Sequence, residues 1–187
     1  MRNRYVVSMD IGGRTPTADW SVISVIDRLP TLSGSVEECI ATYRFHLDQD
    51  LAVWRAVQVA VFYNRAHLVV EANSLNSQST DGDHTLTVLD QIKGVYRNLF
   101  CRTDPQQVVE GRPARYGFFT SRSSKTDLVN QMNRRMRERS YVEYDSRALD
   151  EADLYELKED GTYGAVIGEH DDIYMSRAIG LKVCDLL

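Results

Sequence analysis

The stretch that most constrains this chain is Tyr5-Val6-Val7-Ser8-Met9-Asp10-Ile11-Gly12-Gly13. An apolar run of strand-forming residues ends in one carboxylate, and two glycines follow at once. A short, nearly continuous apolar run bounded by turn residues predicts a buried central strand. A carboxylate at the end of such a strand costs desolvation free energy unless something pairs with it. Asp10 therefore reads as a metal ligand or a phosphate-loop residue, or else as a turn cap beside Gly12 and Gly13.

The next segments predict an antiparallel meander. Trp20–Ile26 is rich in β-branched residues, Leu29–Ser35 contains Pro30 and Gly34 and predicts a turn, and Cys39–Leu47 predicts a third strand. The period then changes. Leu51, Trp54, Val57, Val61 and Phe62 recur at helical spacing behind Asp50 as N-cap. His67–Glu71 repeats the pattern of the first strand, a buried run ending in a carboxylate. Asn73–Asp83 is polar and predicts a loop, and a helix follows through Leu86, Leu89, Ile92, Val95 and Tyr96.

Arg102–Arg115, with Pro105, Gly111 and Pro113, predicts irregular structure, and Gly117–Thr120 a short strand. Ser123 or Ser124 is placed to cap a helix through Leu128, Val129, Met132 and Met136, whose outer face carries Arg134, Arg135, Arg137 and Arg139. Tyr141–Tyr144 predicts a brief strand and Ala148–Leu154 a helix. Asp160-Gly161 marks a two-residue hairpin turn between Leu157 and Val166. His170-Asp171-Asp172 opens a last helix through Ile173, Ala178, Ile179 and Leu181. Three strands followed by helix–strand alternation predict an α/β fold with a mixed sheet and helices on both faces.

At 187 residues the chain has room for one well-packed domain. No apolar run approaches the ~20 residues that span a bilayer, and Met1–Arg4 is not followed by a signal-type cleavage site, so we expect a cytosolic protein. Cys39, Cys101 and Cys184 are scattered and odd in number, which indicates neither a disulfide framework nor a zinc site. A net charge of −5 argues against a generic nucleic-acid coat. It leaves room for a nuclease, whose carboxylates keep a site acidic until a cation arrives.

The carboxylates fall into an order. Asp10 ends the first strand, Glu71 ends the next buried strand after a helical crossover, and Asp171 and Asp172 open the last long helix. Right-handed crossovers place such strands side by side and parallel, so that their C-terminal ends share the edge at which open α/β sheets bind ligands. Carboxylates converging there repel unless divalent cations intervene. All-oxygen ligation favours Mg²⁺ or Mn²⁺, and two such ions are the usual device for in-line attack of water on a phosphodiester. Each piece has a plainer reading: a solvated strand end for Glu71, dipole-favoured acids for Asp171 and Asp172, a surface or capping role for His170.

In that order the sequence resembles the nuclease domain of the large terminase subunit of tailed double-stranded DNA phages, a ribonuclease H-like domain related to RuvC-type resolvases. The resemblance spans nearly the whole chain. It rests on Met9–Gly13 with Ala18-Asp19-Trp20-Ser21-Val22-Ile23, on Val69-Val70-Glu71-Ala72-Asn73, on Phe119–Lys125, and above all on Gly168-Glu169-His170-Asp171-Asp172-Ile173-Tyr174-Met175-Ser176. The resemblance implies a ribonuclease H-like mixed sheet over residues 1–187. It implies catalysis and metal ligation by Asp10, Glu71, Asp171 and Asp172, with two Mg²⁺ or Mn²⁺ ions. Asp171 is favoured over Asp172 as the primary ligand, and His170 and Asn73 would support the ligands from behind.

The activity implied is cutting of concatemeric phage DNA during genome packaging. The partners implied are double-stranded DNA, a packaging ATPase domain, the small terminase subunit and the portal, with no membrane, in the host cytoplasm. No Walker A loop occurs, so the ATPase domain is absent from this chain. Backbone contacts should dominate DNA binding; the candidates are Arg14, Arg112, Arg115, Arg122 and Lys125, with the Arg134–Arg139 cluster as a solvated face or a further contact. Trp20 and Trp54 are expected in the core. Three other readings share parts of the pattern: an actin-like ATPase fragment using Asp10–Thr15 as phosphate loop, a resolvase- or transposase-like nuclease, and a ribonuclease H-like module without catalysis.

Overall fold

The computed structural model describes residues 3–73 and 82–187, with side chains omitted at 32 and 82–87. Most of the loop expected over Asn73–Asp83 lies outside the described residues. The principal sheet has five strands in the order β4-β1-β2-β3-β5. Its strands are β1 (Tyr5–Asp10), β2 (Ser21–Asp27), β3 (Glu37–Phe45), β4 (His67–Val70) and β5 (Tyr141–Glu143). The first three form the antiparallel meander, while β4 lies parallel to β1 and β5 parallel to β3. This is the mixed sheet expected from the sequence.

Helices cover both faces. On one, α2 (Gln49–Phe62) and α3 (Gly82–Val95) pack over Val7, Met9, Ile23 and Val25. On the other, α5 (Arg122–Glu138) and α7 (Asp172–Cys184) close over Val6, Ile26 and Val69. Strand side chains alternate between faces, so Val6 and Val7 feed different cores. Helix α7 is apolar almost all round, as a helix buried on every side must be; it crosses β1 and β2 and is flanked by α5 and by α6 (Ser146–Asp153).

Small residues let α7 lie close to the sheet. The Ser8 hydroxyl donates to the Ser176 carbonyl at 2.7 Å, and Ser24 Oγ meets Ser176 Oγ at 2.7 Å. A Cβ on Gly180 would fall 2.5 Å from Ser8 Oγ, so any larger residue there pushes the helix off the strands. That contact fixes the height at which the N-terminus of α7 meets the end of β1.

Several local expectations need correction. The N-cap position of α2 is Asp48, not Asp50, and its side chain makes no capping bond. Its buried stripe is Ala52, Val53, Ala56, Val57, Val59 and Ala60, while Leu51, Val61 and Phe62 are exposed. Small alanines won because the helix lies against strand side chains that already fill the layer. Short helices α1 (Leu29–Leu32) and α4 (Pro105–Val109) interrupt the expected turn and irregular stretch, each started by a proline in its first turn. Gly117–Thr120 forms no strand; Tyr116 and Phe118 make isolated bridges to Cys101 and Glu71.

Helix α5 has Ser121, not Ser123 or Ser124, as its N-cap, and Ser121 forms a capping box with Ser124. Arg135 does not lie on its outer face: it is buried between Glu37 and Asp185. The Asp160-Gly161 turn does join two strands, β6 (Tyr155–Leu157) and β7 (Tyr163–Ala165). The loop runs from Lys158 to Thr162, closed by a Lys158 N to Thr162 O bond of 2.8 Å, because Asp160 binds the Thr162 amide and hydroxyl instead of completing a two-residue turn.

Candidate active site

Register alone brings the first two carboxylates together. Met9 pairs with Val70 in parallel, and the Glu71 amide donates to the Met9 carbonyl at 2.9 Å, so Asp10 and Glu71 stand side by side at the C-terminal ends of β1 and β4. Asp171 is the N-cap of α7 and Asp172 its first residue. All four carboxylates, with Asp19, line one open cleft of about 530 Å³ at the C-terminal edge of β1 and β4. Asn73, Thr120, Ser121, Arg122, Lys125, Thr162 and Tyr163 are among its other lining residues.

The electrostatics are those of a crowded acidic site. Burial, then the Glu71 charge and a hydrogen bond with Glu71, hold the Asp10 carboxyl well above the ordinary carboxylate range, with Asp172 and Asp171 adding to the effect. By surface area Asp10 is only half-buried; its inner side faces protein and its outer side faces the cleft. Burial also raises Asp172 to about 6, opposed by the hydrogen bond it accepts from the Trp20 amide at 3.1 Å. His170 Nδ1 lies 3.5 Å from Asp172 Oδ2. Lys125 Nζ sits 3.6 Å from Asp171 and over the Tyr155 ring.

The acids meet because the β1–β2 hairpin is tight. The Gly13 amide donates to the Asp19 carbonyl and the Gly12 amide to Ser21 Oγ. A Cβ on Gly12 would fall 2.1 Å from the Asp19 carbonyl oxygen. Gly12→Ala should therefore force the hairpin open, costing about 1–3 kcal/mol in denaturant unfolding and loosening the Trp20 amide from Asp172. A variant as stable as the parent would show that the hairpin can yield without cost.

The other sequence candidates divide. Arg122 and Lys125 line the cleft, Arg122 being anchored on the Asp160 carbonyl at 2.7 Å. Arg115 lines a neighbouring hollow with Arg102 and Phe119. Arg14 pairs with Asp48 and Arg112 bonds Gln107, and neither reaches the cleft. Asn73 lines the cleft and clamps Thr120, accepting from its amide at 2.7 Å and donating to its carbonyl; among the described residues it makes no bond to a cleft carboxylate. Trp20 and Trp54 are only partly buried; Trp20 stacks on His46 and carries Arg44 over its ring. The sequence reading did not single out Asp19 as a site residue, although it stands in the hairpin motif. Thr162, in the β6–β7 loop, and Tyr163, which opens β7, also reach the cleft; no sequence signal tied that hairpin to it.

Among the described residues, no three Asp, Glu, His or Cys side chains are already gathered closely enough to enclose an ion. The donor set nevertheless suits a hard divalent cation: it is all oxygen, and the Asp10 carboxyl is crowded by acids rather than matched by a base. Like charges resist gathering on their own, so drawing them in is what a cation would contribute.

The architecture is that of large-terminase nuclease domains, a ribonuclease H-like fold. The nuclease domain from thermophilic phage G20c, solved with bound magnesium, superposes with a TM-score of 0.65 at 21% identity, over 95% of this chain and 80% of that one. The human cytomegalovirus terminase nuclease domain, manganese-soaked and inhibitor-bound, gives 0.63 at 12% identity, over 98% and 83%. The phage P22 domain gives 0.60 at 12%, over 99% and 84%. No protein-family model and no curated protein sequence matches the chain. At these identities the likeness is one of fold. No described helix is long and apolar enough to cross a membrane.

Proposed function

We propose that this chain is a divalent-metal-dependent DNA endonuclease of the large-terminase type, cutting concatemeric phage DNA during packaging. Residues 1–187 would constitute one nuclease domain, working in the host cytoplasm with a packaging ATPase domain, a small terminase subunit and a portal. The observation that carries this reading is the meeting of Asp10, Glu71, Asp171 and Asp172 in one open cleft on a terminase-nuclease fold.

Asp10, Glu71 and Asp171 would hold two Mg²⁺ or Mn²⁺ ions, with Asp172 as an additional or alternate ligand. Bound there, the ions would supply charge for the departing 3′ oxygen and an activated water. Asp172 also fixes the hairpin through the Trp20 amide, which favours Asp171 as the primary ligand. Lys125, loosely paired with Asp171, is placed to meet a phosphate oxygen, and Arg122 to hold the strand beside it. Asn73 keeps the Thr120 segment against the Glu71 strand end, and His170, 3.5 Å from Asp172, would steady that carboxylate. The acidic balance predicts weak DNA affinity for the chain alone, governed by backbone contacts and falling with salt.

Plasmid cutting should appear with Mg²⁺ and be at least as fast with Mn²⁺, and excess chelator should stop it; cutting that persists in chelator refutes metal dependence. Among linear duplex, branched DNA and RNA–DNA hybrid, the linear duplex should be cut. A strong preference for branched DNA would move the assignment to a resolvase. A saturating divalent ion should also stabilise the fold. At a hundred times its dissociation constant it contributes about 2.7 kcal/mol, a rise in Tm of roughly 5–10 °C for a chain of this size.

A further inference from the structure

The far edge of the sheet carries a second surface, whose reading does not depend on nuclease activity. Pairing of β3 with β5 stops at Cys39. The Thr42 hydroxyl is taken up by Arg177. Beyond it, among the described residues, Tyr43–Leu47 have no backbone partner outside the pairing with β2. An unpaired strand edge is a template for another strand.

A groove of about 810 Å³ runs along this edge, lined by every residue from Thr42 to Leu47 and walled by α2 and by Arg147. Because consecutive strand residues line it, it receives side chains from both faces of the sheet. On the α2 side stand Tyr43, Phe45, Val59 and Phe62, the last 79% exposed. On the other side stand Arg44 and Arg147, the latter already held by Asp145 at 2.7 Å. Arg55 adds a cation from α2, and no carboxylate lines the groove. Among the described residues Arg44 makes no hydrogen bond; its Nε is buried without a partner and its guanidinium rests 4.4 Å from the centre of the Trp20 ring.

From this we infer that the β3 edge is a docking site for an extended segment of another polypeptide, added as a strand, with apolar side chains toward α2 alternating with acidic side chains toward Arg44. The alternation follows from strand geometry: successive residues of an added strand face opposite sides. The arginines set the charge, since the groove is cationic on a chain of net charge −5. The same charge disfavours a second copy of this chain, whose matching edge would oppose arginine to arginine. The exposed apolar wall and the row of strand backbone favour polypeptide over nucleic acid.

The test uses the whole chain and a synthetic peptide of about seven residues alternating glutamate with valine or phenylalanine, about 23 Å when extended. Its binding should slow amide hydrogen exchange within Tyr43–Leu47. Arg44→Glu together with Arg55→Glu should weaken it about tenfold or more, Phe62→Ala should weaken it measurably, and replacing glutamate by lysine in the peptide should abolish it. Circular dichroism confirms that the variants fold. No slowing of exchange at peptide concentrations up to about 1 mM, slowing unaffected by the arginine changes, or protection of the same amides by duplex DNA in place of the peptide would each overturn the proposal.

Discussion

Asp10→Ala should lower plasmid cleavage about a thousandfold or more, equivalent to roughly 4 kcal/mol of transition-state stabilisation, while the chain stays folded. Asp10 is the cleft acid at the end of β1, and its carboxyl touches Glu71. Without it the two strand ends present one carboxylate where two are needed. Cleavage at the parent rate would remove Asp10 from the mechanism.

The same substitution carries a stability prediction of opposite sign. Asp10 and Asp172 have carboxyls raised above their ordinary value of 3.8 by burial, Asp172 to about 6. Between these values the folded chain binds more protons than the unfolded chain. Metal-free stability therefore falls as pH rises from about 4 through 6 on account of Asp172, a loss of order 3 kcal/mol, and goes on falling at higher pH, because burial also raises Glu151 to about 7 and holds Asp10 well above its ordinary value. Asp10→Asn removes the strongest crowding, so without divalent ions at pH 7.5 its Tm should exceed that of the parent. With saturating Mn²⁺ the order should reverse. A Tm for Asp10→Asn below the parent's without metal would show that the Asp10 carboxylate is matched by a cation after all.

The carboxylate arrangement was legible because it rests on topology. Two buried strands separated by a crossover had to lie parallel and adjacent, and both happened to end in an acid. The last helix was legible from its apolar length, and its opening acids from their position ahead of it. Features that depend on tertiary contact were not legible. The exposed side of α2 carries Leu51, Val61 and Phe62, because alanines at the sheet contact let the helix approach; hydrophobicity alone points to the wrong face. Arg135 sits among outer-face arginines in sequence but turns inward because Glu37 and Asp185 wait for it across the fold. Asp19 reaches the cleft only because Gly12 and Gly13 let the hairpin close.

Arg177→Met should be the most destabilising single change in the fold, costing about 3–5 kcal/mol out of a total stability of about 5–15 kcal/mol. Arg177 is 1% exposed in the middle of α7. Its Nε donates to Glu143 Oε2 at 2.8 Å, and its Nη2 donates to Glu143 Oε1 at 3.2 Å and to Thr42 Oγ1 at 2.6 Å. The Glu143 side chain is 4% exposed, so methionine would strand a carboxylate in the interior, and that stranded charge is the main cost. A second change, Glu143→Gln, should therefore recover much of the loss, since the amide can stay neutral. Urea midpoints for the two single variants and the double variant measure this coupling directly. If Arg177→Met costs less than about 1 kcal/mol, water or another donor reaches Glu143 and the pair is not sealed. The consequence reaches the cleft: Arg177 lies one to two turns along the helix that Asp171 caps, and it ties that helix to the edges of β3 and β5. Loosening it frees the end of α7 that carries Asp171 and Asp172, so the same variant should lose cleavage activity even where it remains folded.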